Sequence, residues 1–83
     1  RVIEIKLPST AWDGAQEGVE ALLDRWQVAE KTVVTKGQVL ATVVLVKASI
    51  DIEAPDNGWL ENIRVKEGES FADGTVLANF TAS

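Results

Sequence analysis

The chain repeats itself, and that limits its possible folds more than any other feature. Shifted by 37 residues, Val28–Val43 (VAEKTVVTKGQVLATV) lies on Val65–Phe80 (VKEGESFADGTVLANF). Val28 falls on Val65, Glu30 on Glu67, Gly37 on Gly74, Val39 on Val76, Leu40 on Leu77 and Ala41 on Ala78. Val43 meets Phe80, so an apolar position stays apolar; upstream, Leu23 meets Leu60 and Trp26 meets Ile63. Two copies in 83 residues are too few for a solenoid, which needs about three. They suffice for two β-rich half-units packed face to face, a pseudo-symmetric sandwich. A chain of this length has room for one core and no second lobe.

The local patterns point to strands. Val2–Leu7 is biased to apolar residues and stops at Pro8; Ser49–Ala54 alternates apolar and polar and stops at Pro55. Gln38–Val46 is β-branched and apolar enough for a strand buried on both faces, and Thr75–Phe80 is its counterpart. Glu17–Trp26 (EGVEALLDRW) also fits a short helix, but its repeat partner is strand-like, which favours strand. Turns fall at Thr35-Lys36-Gly37, Asp56-Asn57-Gly58, Glu67-Gly68-Glu69 and Ala72-Asp73-Gly74. Short strands between frequent turns read as an all-β sandwich or barrel. The repeat predicts a core of Trp26, Val28, Val39, Leu40, Val43, Ile63, Val65, Phe71, Val76, Leu77 and Phe80. It also exposes a conflict: Lys31 occupies the place of Gly68, where a positive φ is wanted. Lys31→Gly is therefore expected to be neutral or stabilising.

Composition removes whole classes of function. Cysteine and histidine are both absent, which excludes disulfides, thiolate sites and the commonest general base and metal ligand. An enzyme acting alone is not expected. Thirteen acidic residues against eight basic ones give a net charge of −5, a poor match to nucleic acid or an anionic membrane surface. The longest apolar run, Val43–Val46, is strand-sized and far short of the roughly 18 residues a membrane span needs. No signal peptide is visible, and a chain opening at Arg1 reads as a fragment or processed product. Glu67, Glu69 and Asp73 read as solvated turn carboxylates rather than metal ligands. Trp59, after Gly58, reads as a rim residue.

One lysine stands apart by position. Lys47 follows an apolar strand and precedes an alternating one, so it belongs at the tip of the hairpin that joins them. Moving by one repeat from Lys47 reaches Thr10 or a position just past Ser83. The tip's pseudo-symmetric counterpart is therefore the open end where the chain enters and leaves. A charge beside an apolar run also serves as a gatekeeper against edge aggregation, and Lys6, Lys31, Lys36 and Lys66 are further lysines, none at the tip between half-units.

The chain resembles a lipoyl domain of the biotinyl/lipoyl carrier family, with the acyltransferase component of 2-oxo acid dehydrogenase complexes as the nearest pattern. The match is carried by Lys6-Leu7-Pro8, Glu17-Gly18, Trp26, Gly37-Gln38-Val39-Leu40-Ala41, Lys47-Ala48, Ala54-Pro55, Gly58, Val65-Lys66-Glu67-Gly68-Glu69 and Val76-Leu77-Ala78. The resemblance implies a flattened β-barrel of two four-stranded sheets, a barrel-sandwich hybrid, over residues 1–80, with 81–83 as the start of a linker. It implies lipoate on the ε-amino group of Lys47 and no catalytic residue, the cofactor carrying the chemistry. Implied partners are a lipoyl ligase, a thiamine diphosphate-dependent decarboxylase, an acyltransferase and a dihydrolipoyl dehydrogenase. The implied compartment is the bacterial cytoplasm or the mitochondrial matrix. Trp12 and Asp13, in the loop after the first strand, and Val46 and Ala48, beside the lysine, are the implied partner contacts. The segment from Gly18 to Trp26 looks longer than is usual in the family, which enlarges that loop, and Val44-Leu45-Val46 stands where acidic residues are usual before the lysine. Two alternatives stay open. A biotinyl domain shares the fold but places methionines beside its lysine, and this chain has none. An unmodified barrel serving as a structural or binding module suits the apolar tip.

Overall fold

The computed structural model describes residues 1–83. Eight strands and one short 3₁₀ turn make up the chain: β1 (Val2–Ile5), the turn (Ser9–Trp12), β2 (Ala21–Trp26), β3 (Val33–Val34), β4 (Val39–Leu45), β5 (Ala48–Glu53), β6 (Gly58–Ile63), β7 (Ser70–Phe71) and β8 (Ala78–Ala82). They form two four-stranded antiparallel sheets, ordered β1-β8-β6-β3 and β5-β4-β2-β7. The sheets do not close into a barrel; they make a flattened sandwich with extents of 37 × 22 × 17 Å. The edge strands β3 and β7 are two residues long, too short to template pairing with another chain.

The two sheets are copies of one another. Leu22, Leu23, Arg25 and Trp26 of β2 pair with Val44, Val43, Thr42 and Ala41 of β4. Their repeat mates Trp59, Leu60, Asn62 and Ile63 of β6 pair with Thr81, Phe80, Asn79 and Ala78 of β8. Each ladder skips one residue, Asp24 in one and its mate Glu61 in the other. The Gln27 amide donates to the Leu40 carbonyl (2.7 Å), and the Arg64 amide to the Leu77 carbonyl (2.8 Å). A bulge costs a ladder bond and bends the strand, so finding it at the same place twice shows that the repeat specifies geometry and not only composition.

The turn before each short edge strand follows the same rule. Lys31, at φ 68°, donates its amide to the Leu60 carbonyl (2.8 Å); Gly68, at φ 85°, donates to the Leu23 carbonyl (2.8 Å). A left-handed residue aims each amide at its strand, and Lys31 meets that need without glycine's freedom. Its ammonium turns onto Glu61, 2.5 Å away.

Strand ends depart from the sequence reading. β1 stops at Ile5 and β8 starts only at Ala78, because the Leu77 carbonyl accepts the amides of both Arg64 and Val65 while its own amide donates to Ile5. Thr81 and Ala82 are strand and not linker: Thr81 pairs with Val2 and Trp59, the Ala82 amide donates to the Arg1 carbonyl, and the Ser83 amide to that of Asn57. The fold thus runs past residue 80. β4 is buried mainly on one face; Ala41, Val43 and Leu45 point inward while Thr42 and Val44 are half-exposed. A register shift between Val39 and Ala41 lets Leu40 be buried as well.

Of the predicted core, Leu40, Val43, Val65, Phe71, Leu77 and Phe80 are buried. Trp26, Val28, Val39, Ile63 and Val76 are only half-buried. Trp26 stays at the rim because its indole N–H donates to the Val65 carbonyl (2.9 Å). Val39 and Val76, a repeat pair, are half-buried next to the fully buried Leu40 and Leu77. Leu23 and Leu60, Val34 with Phe71, and Ala41 with Ala78 complete the core as matched pairs.

Candidate functional site

β4 and β5 are joined by two residues, Val46 and Lys47, between the paired Leu45 and Ala48. A two-residue connection matches the strand twist when its first residue has positive φ, the type II′ pattern. Val46 supplies it at φ 59°, a conformation a β-branched side chain adopts at a cost. The next residue, Lys47, is thrown clear of both sheets. Its side chain is exposed, with no hydrogen bond or salt bridge to its ammonium. Lys6 and Lys31, by contrast, are paired with Glu4 and Glu61.

The symmetry locates this tip. Val43, Thr42 and Ala41 face Ile50, Asp51 and Ile52 in one sheet; their mates Phe80, Asn79 and Ala78 face Ile3, Glu4 and Ile5 in the other. β1 thus corresponds to β5, and the hairpin Leu45–Ala48 corresponds to Ala82 against Arg1. Lys47 and the chain ends lie across the pseudo-two-fold axis from each other.

The β1–β5 equivalence runs at 47 residues and not 37, so the connection after β1 is ten residues longer than its counterpart. The excess folds against the tip. Ala11, Asp13, Gly14 and Ala15 from the loop and Leu45, Val46, Ala48 and Ile50 from the hairpin line one groove of about 190 Å³. Trp12 anchors the loop: it is only 8% exposed and packs edge-on against Phe71, ring centres 6.1 Å apart. Its indole N–H has no hydrogen-bond partner. Asp13 is exposed. Of the four residues singled out for contact, Val46, Ala48 and Asp13 thus lie on the surface around Lys47, whereas Trp12 covers the core from below. Ala11, Gly14, Ala15, Leu45 and Ile50 join the site without having been singled out; the extra length of the first connection was the signal for the loop members.

Elsewhere, the Glu61 carboxyl titrates low. Hydrogen bonds from the Lys31 ammonium and the Trp59 indole hold it below its ordinary value of 4.5. Trp59 is half-buried, with this bond at 2.9 Å. Glu69 accepts the Lys66 amide (2.6 Å), the work of a turn carboxylate. No three acidic side chains converge as metal ligands would, and no helix is long and apolar enough to cross a membrane.

Two equivalent half-sandwiches, tied at one end and open at the other, make a scaffold that presents one amine on the closed end. Comparison with known proteins names the class. The chain belongs to the biotinyl/lipoyl attachment family: the family model described as biotin-requiring enzyme matches residues 4–80. The chain is 43% identical over 44 residues to the dihydrolipoyllysine-residue acetyltransferase component of the acetoin cleaving system of Bacillus subtilis, a match covering 53% of this chain and 11% of that protein. It is 35% identical over 77 residues to the corresponding component of the pyruvate dehydrogenase complex of Zymomonas mobilis, covering 92% of this chain and 17% of that protein. The chain therefore spans a small part of both relatives. The solution structure of the lipoyl domain of the 2-oxoglutarate dehydrogenase complex from Azotobacter vinelandii superposes with a TM-score of 0.79 at 19% identity, covering 95% of each chain. That likeness establishes the fold.

Proposed function

We propose that this domain is a swinging-arm carrier whose Lys47 holds lipoate in amide linkage. The observation that carries the reading is the free ammonium of Lys47 on a two-residue hairpin tip, across the symmetry axis from the chain ends. The site fits the group. The Lys47 ammonium has no carboxylate bound to it; once deprotonated, it would attack an activated lipoyl carboxyl, form the amide, and release a second proton and the activating group. The product amide is uncharged, so the formal net charge moves from −5 by one further negative unit. A lipoyl ligase is the implied partner for that step.

When bound, the lipoyl group supplies a dithiolane able to accept an acyl group and two electrons. The protein's own contribution is presentation: a rigid β-scaffold holds the lysine backbone in place and leaves the side chain mobile. In a tethered assembly this raises the effective concentration of the arm at each active site. The absence of cysteine keeps competing mixed disulfides away from the arm. No catalytic residue is assigned to the domain. The names of the relatives, acetyltransferase components of an acetoin cleaving system and of a pyruvate dehydrogenase complex, support service within such a complex; a thiamine diphosphate-dependent decarboxylase, an acyltransferase and a dihydrolipoyl dehydrogenase are the partners proposed, and the bacterial cytoplasm or the mitochondrial matrix the compartment proposed. A reducing compartment suits a cofactor that must cycle through its dithiol.

Biotin on Lys47 is the second reading, favoured by the description of the matching family. Val46 and Ala48 beside the lysine, and the absence of methionine anywhere in the chain, weigh against it. Intact mass after expression with lipoate or biotin tests all readings. A lipoyl increment lost in Lys47→Ala is expected. A biotin increment selects the second reading, and no increment even with purified lipoyl ligase points to an unmodified module.

A further inference from the structure

We infer that the groove on the pseudo-two-fold axis is a docking site for a basic segment of a partner protein, an arginine beside leucine-sized side chains, taken up away from the Lys47 tip. The inference does not depend on what Lys47 carries.

The groove is a product of the repeat. Trp26 and Ile63 are repeat mates, and so are Glu30 and Glu67; all four line one open groove of about 870 Å³. A place lined by both members of two such pairs lies on the axis that relates the halves. The same axis exchanges the Lys47 tip with the chain ends, so the groove sits between them and leaves the tip uncovered. Trp26, Val28 and Ile63, which the repeat assigns to the core, are half-buried and line it. Val65, the mate of Val28, is buried, so the halves differ at this point and the difference leaves Val28 open. The walls are set before anything binds. The Trp26 indole N–H donates to the Val65 carbonyl (2.9 Å), and a Glu30 carboxylate oxygen accepts the Ile63 amide (2.6 Å), so each is fastened to the opposite half. A surface held in this way loses little freedom when a partner settles on it.

Size, charge and chemistry select the occupant. The volume falls in the upper part of the roughly 300–1,000 Å³ range of binding clefts, room for a few side chains of an extended segment. Glu30 and Glu67 are both exposed and neither is in a salt bridge, whereas Lys66 is the one cation in the lining. The balance favours a positive occupant. A second copy of the domain, with the same net charge of −5, is repelled from it. A half-buried indole beside two carboxylates suits a guanidinium in particular, which stacks on the ring and donates in its own plane to a carboxylate. Val28 and Ile63 then receive the apolar neighbours of that arginine, around a tryptophan, the residue type most often found where interface energy concentrates.

The test titrates the isotope-labelled domain, Lys47 unmodified, with a blocked tetrapeptide of two arginines flanking two leucines, followed by amide NMR. The Trp26 indole N–H and the amides of Val28, Ile63 and Glu67 should shift together and saturate, while those of Lys47 and Ala48 stay in place. The double variant Glu30→Gln/Glu67→Gln keeps an acceptor for the Ile63 amide and should bind about tenfold more weakly at low ionic strength, with a smaller difference at high salt. Val28→Lys should abolish binding while amides distant from the groove keep their positions. Equal shifts with a tetrapeptide of two glutamates flanking two leucines, shifts centred on the tip, or no saturable shift would overturn the inference. Groove amides that move with the concentration of the domain alone would also overturn it, by seating a second copy there.

Discussion

Val46 is the place where the tip stores strain, and replacing it with glycine should stabilise the domain. At φ 59° a residue with a Cβ pays about 1–2 kcal/mol relative to a right-handed conformation, and β-branching does nothing to relieve it. Glycine removes that cost but returns about 0.5–1 kcal/mol through the greater freedom of its unfolded chain. Val46 is 69% exposed, so little apolar burial is lost with the side chain. The balance is a gain of about 0.5–1 kcal/mol. In a domain of this size 1 kcal/mol moves the midpoint by roughly 4–8 °C, so Val46→Gly should melt about 2–8 °C higher. Val46→Ala is the control: it keeps the Cβ and the strain and should leave the midpoint nearly unchanged. Thermal unfolding followed by circular dichroism, with urea titration for the free energy, measures both. A midpoint for Val46→Gly at or below that of the parent, or a gain for Val46→Ala equal to that for glycine, refutes the argument that backbone strain sets the cost.

Lys31→Gly applies the same reasoning at the repeat mate of Gly68. It relieves a φ of 68° at the expense of an exposed ion pair of the kind that contributes little, and should be neutral or stabilising in urea; clear destabilisation would show that the Lys31 side chain, not its backbone, holds the turn. Gly58→Ala should be severe, because the added Cβ would stand 2.0 Å from the Thr81 carbonyl oxygen; a loss of about 3 kcal/mol is expected, whereas a loss under about 1 kcal/mol would mean that β8 can shift away. Glu61 titrates below 4.5 in the folded domain, so its contribution to stability is fully present above the unfolded value and disappears as pH falls through the folded one. In Lys31→Met, carboxyl-detected NMR should find that titration moved up toward 4.5; an unmoved value would assign the shift to Trp59.

How far the fold could be read from the residues depended on whether a position had a repeat mate. Trp26 with Ile63 and Leu23 with Leu60 were paired by the 37-residue shift, and their ladders coincide down to the skipped Asp24 and Glu61. The left-handed Lys31 followed from Gly68, and Lys47 at the tip followed from the strands on either side. Strand limits did not follow. The Leu77 carbonyl ends the ladder between β6 and β8 by accepting the amides of both Arg64 and Val65, an arrangement that no local pattern encodes. The orientation of Trp12 was equally hidden. Its loop is the part of the chain without a mate, so nothing in the repeat reported that the ring turns onto Phe71 and leaves only Asp13 and the small residues facing the tip.

That unmatched loop explains how a symmetric scaffold acquires a single working end. Duplication alone produces two equivalent corners, Leu45 opposite Ala48 and Ala82 opposite Arg1. Only the first is a continuous hairpin; at the second the strands that carry Arg1 and Ala82 run side by side with no turn residue between them. Closure of one corner therefore decides where a lysine is useful, but it leaves that lysine on a bare turn. The ten-residue excess after β1 falls beside the closed corner and not the open one, and its alanines and glycine build a wall where the other half has none. The half-units share a core and a register; they differ where β1 runs on to β2, and that difference converts a structural duplication into a site with one address.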